Sequence, residues 1–120
     1  MLKFIVNDRE PVYIQIIRNI KQKVVTGELK MGERLPSRRE MAVNINVNPN
    51  TVQKAYKEME EMGLINTIKN NQSTITEDEI FVRQIRESLI NEATEIFVEQ
   101  MKAIKVGKEE IKNIINEKYD

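Results

Sequence analysis

Apolar side chains recur every three or four residues near the start of the chain, which is the spacing of one face of a helix. The positions are Tyr13, Ile16, Ile17, Ile20 and Val24. Pro11 suits the first turn of this helix, where a missing N–H group costs no hydrogen bond, and Gly27 ends the pattern. Ahead of the helix, the residues LKFIV at positions 2–6 predict a short strand.

A second regular pattern covers residues 35–65, LPSRREMAVNINVNPNTVQKAYKEMEEMGLI. The preceding residues, GELKMGERLP at 27–36, contain two glycines and a proline and predict a connecting loop. Ser37 and Glu40 have the spacing of a capping box, in which each side chain accepts the backbone N–H of the other residue. The inward positions of the helix that follows are Met41, Ala42 and Ile45. A tight turn is predicted at Asn46.

Another helix is predicted to begin at Asn48 and Pro49, because this pair offers a cap residue followed by proline at the first helical position. Its apolar face consists of Val52, Ala55, Tyr56, Met59 and Met62. Val47 is expected to fill the angle between the two helices, and Gly63 to end the second one. Two helices joined in this way form a helix-turn-helix, an arrangement that can place one helix in the major groove of DNA.

The next thirteen residues, LINTIKNNQSTIT at 64–76, predict a small hairpin. Isoleucine and threonine favour strands, and asparagine tolerates a positive φ, so the turn is expected at Asn70 and Asn71. Beside the two helices, such a hairpin would be a wing.

From Glu77 onward the apolar positions follow the period of a long helix. They are Phe81, Ile85, Leu89, Ala93, Ile96, Phe97, Met101 and Ile104. Gly107 breaks the pattern, and a shorter helix is predicted after it. The sequence therefore predicts a mainly α fold with a small β-hairpin, of class α+β. A winged helix-turn-helix domain would occupy residues 1–76 and a two-helix region residues 77–120.

Composition excludes several classes of function. Apolar residues make up 40% and charged residues 32% of the chain, as expected for a folded, soluble protein. The apolar runs are too short to cross a membrane, and the N-terminal residues MLKFIVNDRE lack the features of a signal peptide. We therefore expect a cytoplasmic protein with no membrane partner.

Enzyme chemistry has little support in the sequence. The chain contains no cysteine and no histidine, which removes thiolate chemistry, the commonest general base and the commonest metal ligand. No glycine-rich phosphate loop is present, and the carboxylates have the ordinary spacing of solvated helix faces. We expect no catalytic residue, no metal site and no cofactor.

The formal net charge is zero, but the charge is unevenly distributed. Residues 1–76 carry 12 basic and 8 acidic side chains, a net charge of +4, whereas residues 77–120 carry 7 and 11, a net charge of −4. A basic front part favours an anionic partner such as DNA. Random variation of surface charge explains a difference of this size equally well.

Polar and basic side chains are concentrated at the leading end of the second helix of the pair. Asparagine and glutamine can form paired hydrogen bonds with adenine, arginine can read guanine, and a helix N-terminus favours a phosphate. The candidate DNA-contacting residues are Arg38, Arg39, Asn48, Asn50, Thr51, Gln53, Lys54 and Lys57, together with Lys69 and Asn71 at the tip of the wing. The alternative interpretation is a solvated helix face and a polar turn that contacts nothing.

The apolar stripe of the tail is too large for two helices to bury by themselves, and an exposed patch of this kind usually marks an interface. Homodimerisation is the simplest explanation, because helix-turn-helix proteins commonly bind two-fold related half-sites. The candidate dimerisation residues are Phe81, Ile85, Leu89, Ile96, Phe97, Met101 and Ile104. The alternatives are packing against the front domain, a protein-interaction module, or an effector-sensing regulator with a small-molecule ligand at the dimer seam. No particular effector is indicated.

The front part of the chain resembles the GntR family of bacterial transcriptional regulators. The matching motifs are PVYIQI at 11–16, GEL at 27–29, G-x-x-L-P-S-x-R-E-M-A at 32–42, V-N-P-N-T-V-x-K-A-Y-x-E-M-E at 47–60 and GLI at 63–65. The resemblance implies a winged helix-turn-helix that binds operator DNA. By position, it implies that the family's DNA contacts fall on Arg39, Asn48, Asn50, Thr51 and Gln53.

The tail is shorter than the C-terminal domain of most family members, and it is similar to that of the YtrA-type subfamily, whose two-helix tail dimerises. The resemblance thus implies a homodimeric repressor that binds double-stranded DNA at a palindromic operator. The chain departs from the family pattern in two places. Pro49 stands where the family usually has arginine, and the wing reads NNQSTI at 70–75 where the family usually has G-x-G-T-F-V.

Overall fold

The computed structural model describes residue 2, residues 4–68 and residues 72–120. Within these residues the chain forms five helices and one antiparallel hairpin. In chain order the elements are α1 (Val12–Thr26), α2 (Arg38–Ile45), α3 (Pro49–Met62), β1 (Ile65–Ile68), β2 (Gln72–Ile75), α4 (Glu79–Ala103) and α5 (Lys108–Lys118). The predicted mainly α fold with a small hairpin is confirmed.

The chain divides into two compact units, Met1–Arg86 and Glu87–Asp120. Helix α4 begins in the first unit and ends in the second. The two units differ from the predicted domains, because they reflect only how compactly the residues pack. The predicted domain boundary after Thr76 therefore stays a prediction. The first unit contains α1, α2, α3, the hairpin and the beginning of α4.

The strand predicted at LKFIV is wrong for the residues of that segment that the structure describes, which have no regular secondary structure, while Lys3 lies outside the described residues. A different contact holds the chain just after this segment. The side chain of Gln15 accepts the backbone N–H of Asn7 at 2.9 Å and donates to the carbonyl groups of Asn7 and Glu10, each at 2.8 Å. The Gln15 side chain thus satisfies backbone groups of Asn7 and Glu10 and attaches this part of the chain to α1.

Helix α1 is anchored by its apolar face, as the sequence predicts. Ile16 and Ile20 are fully buried, and Ile17 and Val24 are nearly so. Pro11 stands at the N-cap, just before the helix and not in its first turn. Its carbonyl accepts the backbone N–H groups of Ile14 and Gln15, so the proline still removes a donor that the helix does not use.

The predicted helix-turn-helix is confirmed in its local details. The Ser37 hydroxyl accepts the Glu40 N–H at 3.1 Å, and the Glu40 carboxylate accepts the Ser37 N–H at 3.0 Å. This second hydrogen bond lowers the pKa of the Glu40 carboxyl. Asn46 adopts the left-handed conformation with φ of 54° at the end of α2. Gly63, whose φ is 86°, follows the last residue of α3 and caps its C-terminus.

The core of the first unit is formed where α1, α3, α2 and the hairpin meet. Residues that are less than 2% exposed are Ile16, Ile20, Met41, Val52, Ala55, Tyr56, Met59, Leu64, Ile65 and Ile75. The expectation that Met62 shares the buried face is wrong, because this side chain is 36% exposed. Helix α3 ends at Met62, and Leu64 takes the buried position beyond the turn.

The hairpin pairs Ile65 with Ile75 and Ile68 with Gln72. The turn expected at Asn70 and Asn71 lies outside the described residues. The predicted connecting loop is more ordered than its composition suggests. The Leu35 N–H donates to the Ser73 carbonyl at 2.8 Å, and the Ile75 N–H donates to the Glu33 carbonyl at 2.8 Å. The end of this loop therefore covers the second edge of β2.

The two helices of the tail are confirmed. Gly107 stands at the N-cap of α5 with an extended backbone, which accounts for the break in the apolar pattern. Along the described ranges of the chain, no helix is long and apolar enough to cross a membrane.

Candidate nucleic-acid interface

The leading end of α3 presents polar side chains to solvent, while the opposite face of the helix is buried. Asn50, Gln53 and Lys57 are exposed, whereas Val52 and Tyr56 are fully buried. Among the described residues, the side chains of Asn50, Gln53 and Lys57 have no hydrogen-bond or ion-pair partner. They are therefore available to an external ligand.

Asn48 has a structural part at the same end. Its side-chain oxygen accepts the Asn50 N–H at 2.8 Å, and its backbone carbonyl accepts the Thr51 N–H at 3.0 Å. The amide NH2 group of Asn48 keeps its capacity to donate, because capping uses only the oxygen. Thr51 is half-buried. The beginning of α3 is thus a rigid, capped helix N-terminus, which favours negative charge in front of it.

The start of α2 lies beside this end of α3. A shallow depression of about 420 Å³ is lined by Ser37, Arg38, Arg39 and Gln53. Arg39 is exposed and has no ion-pair partner in the described part of the chain. The structure thus brings Arg39 and Gln53, which are distant in sequence, to one surface.

Arg38 lies at the same place but is turned toward the protein. One of its terminal nitrogens donates to the Glu60 carboxylate. Its guanidinium carbon lies 5.2 Å from the centre of the Tyr56 ring. Its Nε is buried and has no hydrogen-bond partner among the residues that the structure describes. Arg38 therefore differs from its neighbour Arg39, although the sequence grouped the two together as DNA-contacting residues.

Tyr56 joins the two helices through its hydroxyl group, which donates to the Pro36 carbonyl at 2.6 Å. The residue is fully buried, and burial raises the pKa of Tyr56. The neutral hydroxyl can therefore keep this hydrogen bond at any ordinary pH. Sequence reasoning placed Tyr56 on the buried face but missed its polar contact, because the acceptor is a backbone group twenty residues away.

Lys54 also has a partner inside the chain. Its ammonium nitrogen lies 4.0 Å from the centre of the Tyr13 ring on α1, which is within the range of a cation–π interaction. Lys54 is nevertheless an exposed residue. The contact places the Lys54 ammonium group beside α1, at the junction of α1 and α3.

The structure does not describe the two residues predicted to contact DNA from the wing. Lys69 and Asn71 are outside the described residues. Arg34, which the sequence analysis placed in a loop, is exposed and stands opposite Thr74 of β2. An exposed cation on the hairpin side of the helix pair was thus missed. Arg34 lies in the segment 27–36, whose two glycines and proline predict only a connecting loop. Its position beside the hairpin follows from the backbone pairing with β2.

The candidate dimerisation residues differ in exposure. In the first unit, Phe81 is half-buried and Ile85 is only 6% exposed, so Ile85 is already covered within one chain. In the second unit, Leu89, Phe97 and Met101 are half-buried. Ile96 and Ile104 are 51% and 67% exposed.

Comparison with known proteins places this helix-turn-helix in a family. The profile described as "Bacterial regulatory proteins, gntR family" matches residues 12–75. The chain belongs to the GntR family. The match begins with α1 and ends with β2, so it covers the helix pair and the hairpin that carry the candidate interface.

Three similar proteins support this assignment. YhcF of Bacillus subtilis, described as an uncharacterized HTH-type transcriptional regulator, is 41% identical over 102 residues, which cover 85% of this chain and 84% of YhcF. The HTH-type transcriptional repressor YtrA of the same organism is 47% identical over 68 residues, which cover 57% of this chain and 52% of YtrA. The solved structure of a GntR family transcriptional regulator from Listeria monocytogenes is 34% identical, with a TM-score of 0.87 and coverage of 93% of this chain and 98% of that one.

These similarities show that the chain is a DNA-binding transcription regulator of the GntR family and that it belongs to the YtrA-type subfamily. The similar proteins are transcriptional regulators rather than enzymes, so the expectation that the chain is not an enzyme is confirmed.

Replacing Tyr56 with phenylalanine is expected to lower the free energy of unfolding by about 1 kcal/mol, the net value of one intramolecular hydrogen bond. The ring stays in the core, but the Pro36 carbonyl loses its donor. Thermal unfolding followed by circular dichroism measures the change, which corresponds to roughly 4–8 °C for a unit of this size. Tyr119→Phe is the matched control, because Tyr119 is 81% exposed. Equal stability of Tyr56→Phe and the wild type would show that the hydrogen bond does not hold α2 in place.

Proposed function

We propose that this GntR-family protein is a homodimeric repressor that binds a palindromic operator through the leading end of α3 and the start of α2. The observation that carries the proposal is the arrangement of α3. Its rear face is locked into the core by Val52, Tyr56 and Met59, while Asn50 and Gln53 are exposed and Gln53 lies beside Arg39. A reading helix needs both properties, a rigid seat and free polar groups.

The chemistry of the exposed groups suits DNA. Asn50 and Gln53 can each offer a donor and an acceptor to adenine, and Arg39 can offer a bidentate pair of donors to guanine. Lys57 is a long cation suited to a phosphate, and the capped N-terminus of α3 attracts phosphate as well. Asn48 and Thr51 are proposed to contact the backbone next to this end.

Lys54 is proposed to contact DNA differently from the residues at the leading end of α3. Lys54 is held over the Tyr13 ring, so we propose that it approaches the backbone from the side of α1 and does not reach bases. Lys69 and Asn71 remain proposed contacts of the wing. The support for this part of the proposal is the order of the two flanking strands, because β2 is paired with β1 on one edge and with the end of the 27–36 loop on the other.

The dimer is proposed from the second unit. Ile96 and Ile104 are mostly exposed, and Ile115 is 45% exposed. Large apolar side chains in water favour association with another apolar surface, and a second copy of the same chain supplies one. Two-fold symmetry of the protein would match two-fold symmetry of a palindromic site.

Repression is proposed from the similarity to YtrA, which is itself described as a repressor. We propose the cytoplasm as the compartment, because that is where a bacterial chromosome lies. No small-molecule effector is assigned.

Selection of bound sites from random DNA duplexes at physiological salt tests the proposal. We expect enrichment of a two-fold symmetric site whose half-sites lie about one helical turn apart. Affinity for the selected duplex should fall steeply as salt rises, because phosphate contacts release counterions. Failure to enrich any sequence, together with recovery of a stoichiometric protein partner, would support a protein-interaction module instead.

Replacing Arg39 with alanine is expected to weaken binding to the selected duplex by at least about 1 kcal/mol, or about fivefold, because a bidentate contact to a base is lost. Fluorescence anisotropy measures the affinity, and circular dichroism checks that the fold is intact. Arg83→Ala, which removes an exposed arginine from α4, is the control and should leave affinity nearly unchanged. Unchanged affinity of the folded Arg39 variant would remove Arg39 from the interface.

Placing glutamate at both Ile96 and Ile104 is expected to convert the dimer into a monomer, because an interface would have to bury two unpaired charges. Sedimentation equilibrium measures the mass. Asn91→Glu is the control, since Asn91 is exposed on α4 and lies about 140° around the helix from Ile96 and about 120° from Phe97. A monomeric wild type, or a double variant that remains dimeric, would contradict this interface.

A further inference from the structure

Arg38 is the first residue of α2 and directly precedes the proposed base-contacting residue Arg39. A cation at this place is an obvious candidate for a phosphate contact. However, its guanidinium is committed to the protein by two contacts on α3, the carboxylate of Glu60 and the face of the Tyr56 ring. Its Nε is buried, and the Arg38 side chain is only 22% exposed.

The three residues form one group, which we call the Arg38 cluster (Arg38, Tyr56 and Glu60). Tyr56 and Glu60 are four residues apart on α3 and therefore lie on the same side of the helix, one turn apart. Tyr56 is also bound to the Pro36 carbonyl, two residues before α2 begins. The start of α2 is consequently attached to α3 by two hydrogen bonds. The neutral one joins Tyr56 to Pro36, and the charged one joins Glu60 to Arg38.

Such an attachment restricts the rotation of α2 about its own axis. Arg38 and Arg39 are consecutive helical residues, so fixing the side chain of the first fixes the direction of the second. A rotation of about 20° would move the end of an arginine side chain, roughly 8 Å from the helix axis, by about 3 Å. That displacement is sufficient to break a hydrogen bond to a base edge.

We propose that Arg38 is a positioning residue that orients Arg39 and the start of α3 for DNA through Glu60 and Tyr56, and that it does not itself contact DNA. The proposal rests on the proposed function, since it requires Arg39 and the leading end of α3 to meet DNA. It also assigns a role in DNA binding to Glu60, an acidic residue that would otherwise be expected only to repel phosphates.

The charge of Glu60 separates this proposal from a direct contact by sign. If Arg38 contacted a phosphate, loss of the Glu60 charge would free the guanidinium and remove a repulsion, so DNA binding would become tighter. If Arg38 acts through Glu60, loss of that charge releases α2 and binding becomes weaker. The two alternatives predict opposite effects of one isosteric substitution, Glu60→Gln.

The experiment measures the affinity of the full chain for a duplex selected from random sequences, by fluorescence anisotropy over a series of salt concentrations. The variants are Arg38→Gln, Glu60→Gln, the double variant and Arg38→Lys, at a temperature where circular dichroism shows each to be folded. We expect each single substitution to weaken binding about fivefold to tenfold and the double variant to be no weaker than either single one. The slope of log affinity against log salt should equal that of the wild type.

Arg38→Lys keeps the charge but lacks the planar guanidinium, so it should not restore wild-type affinity. Lys57→Ala is the control for a phosphate contact and should reduce the salt slope by about one. The proposal is overturned if Glu60→Gln binds as well as the wild type or better. It is also overturned if Arg38→Gln reduces the salt slope by about one, or if Arg38→Lys binds as the wild type does.

The same data distinguish failure of this inference from failure of the proposed function. If the wild type selects no duplex, the DNA-binding proposal itself fails. If the wild type binds and Arg39→Ala weakens binding while the variants of the Arg38 cluster do not, only the positioning role is lost.

Discussion

The arrangement of the helix pair depends on the buried side chain of Tyr56 and its hydrogen bond. Its ring is enclosed in the core, so its hydroxyl must find a partner inside the protein, and the Pro36 carbonyl is that partner. One residue earlier, the Leu35 N–H donates to Ser73 of the hairpin. The entrance to α2 is therefore attached to α3 on one side and to β2 on the other. Because a buried polar group without a partner is costly, these hydrogen bonds leave little freedom for the angle between the helices.

This junction determines which charges a chain with no net charge presents at the proposed DNA interface. The cations near the junction are not equivalent. Arg38 forms an ion pair with Glu60, and Lys54 lies over the Tyr13 ring. Arg39 and Lys57 have no such partners among the residues described. Internal contacts thus decide which charges remain available to an anionic ligand. In the proposed interface, the exposed amides of Asn50 and Gln53 would supply what charge alone does not, which is discrimination between bases.

Sequence predicted the features that depend on neighbouring residues. The Ser37–Glu40 capping box, the turn at Asn46 and the termination of α3 by Gly63 all follow from local chemistry, and all are present. The Tyr56–Pro36 and Arg38–Glu60 contacts join residues 20 and 22 positions apart, and no spacing rule reports such a pair. The pairing of residues 33–35 with β2 was missed for the same reason, because composition marked that segment only as a loop.

The most direct test of the central claim is a nuclear magnetic resonance titration of the isotopically labelled protein with a duplex selected from random sequences. The account predicts that the side-chain amide signals of Asn50 and Gln53 and the guanidinium signal of Arg39 shift on binding. The backbone signals of the α1 core face around Ile16 and Ile20 should stay in place, because α1 packs behind the reading helix. Saturated binding that leaves Asn50, Gln53 and Arg39 unperturbed would contradict the account.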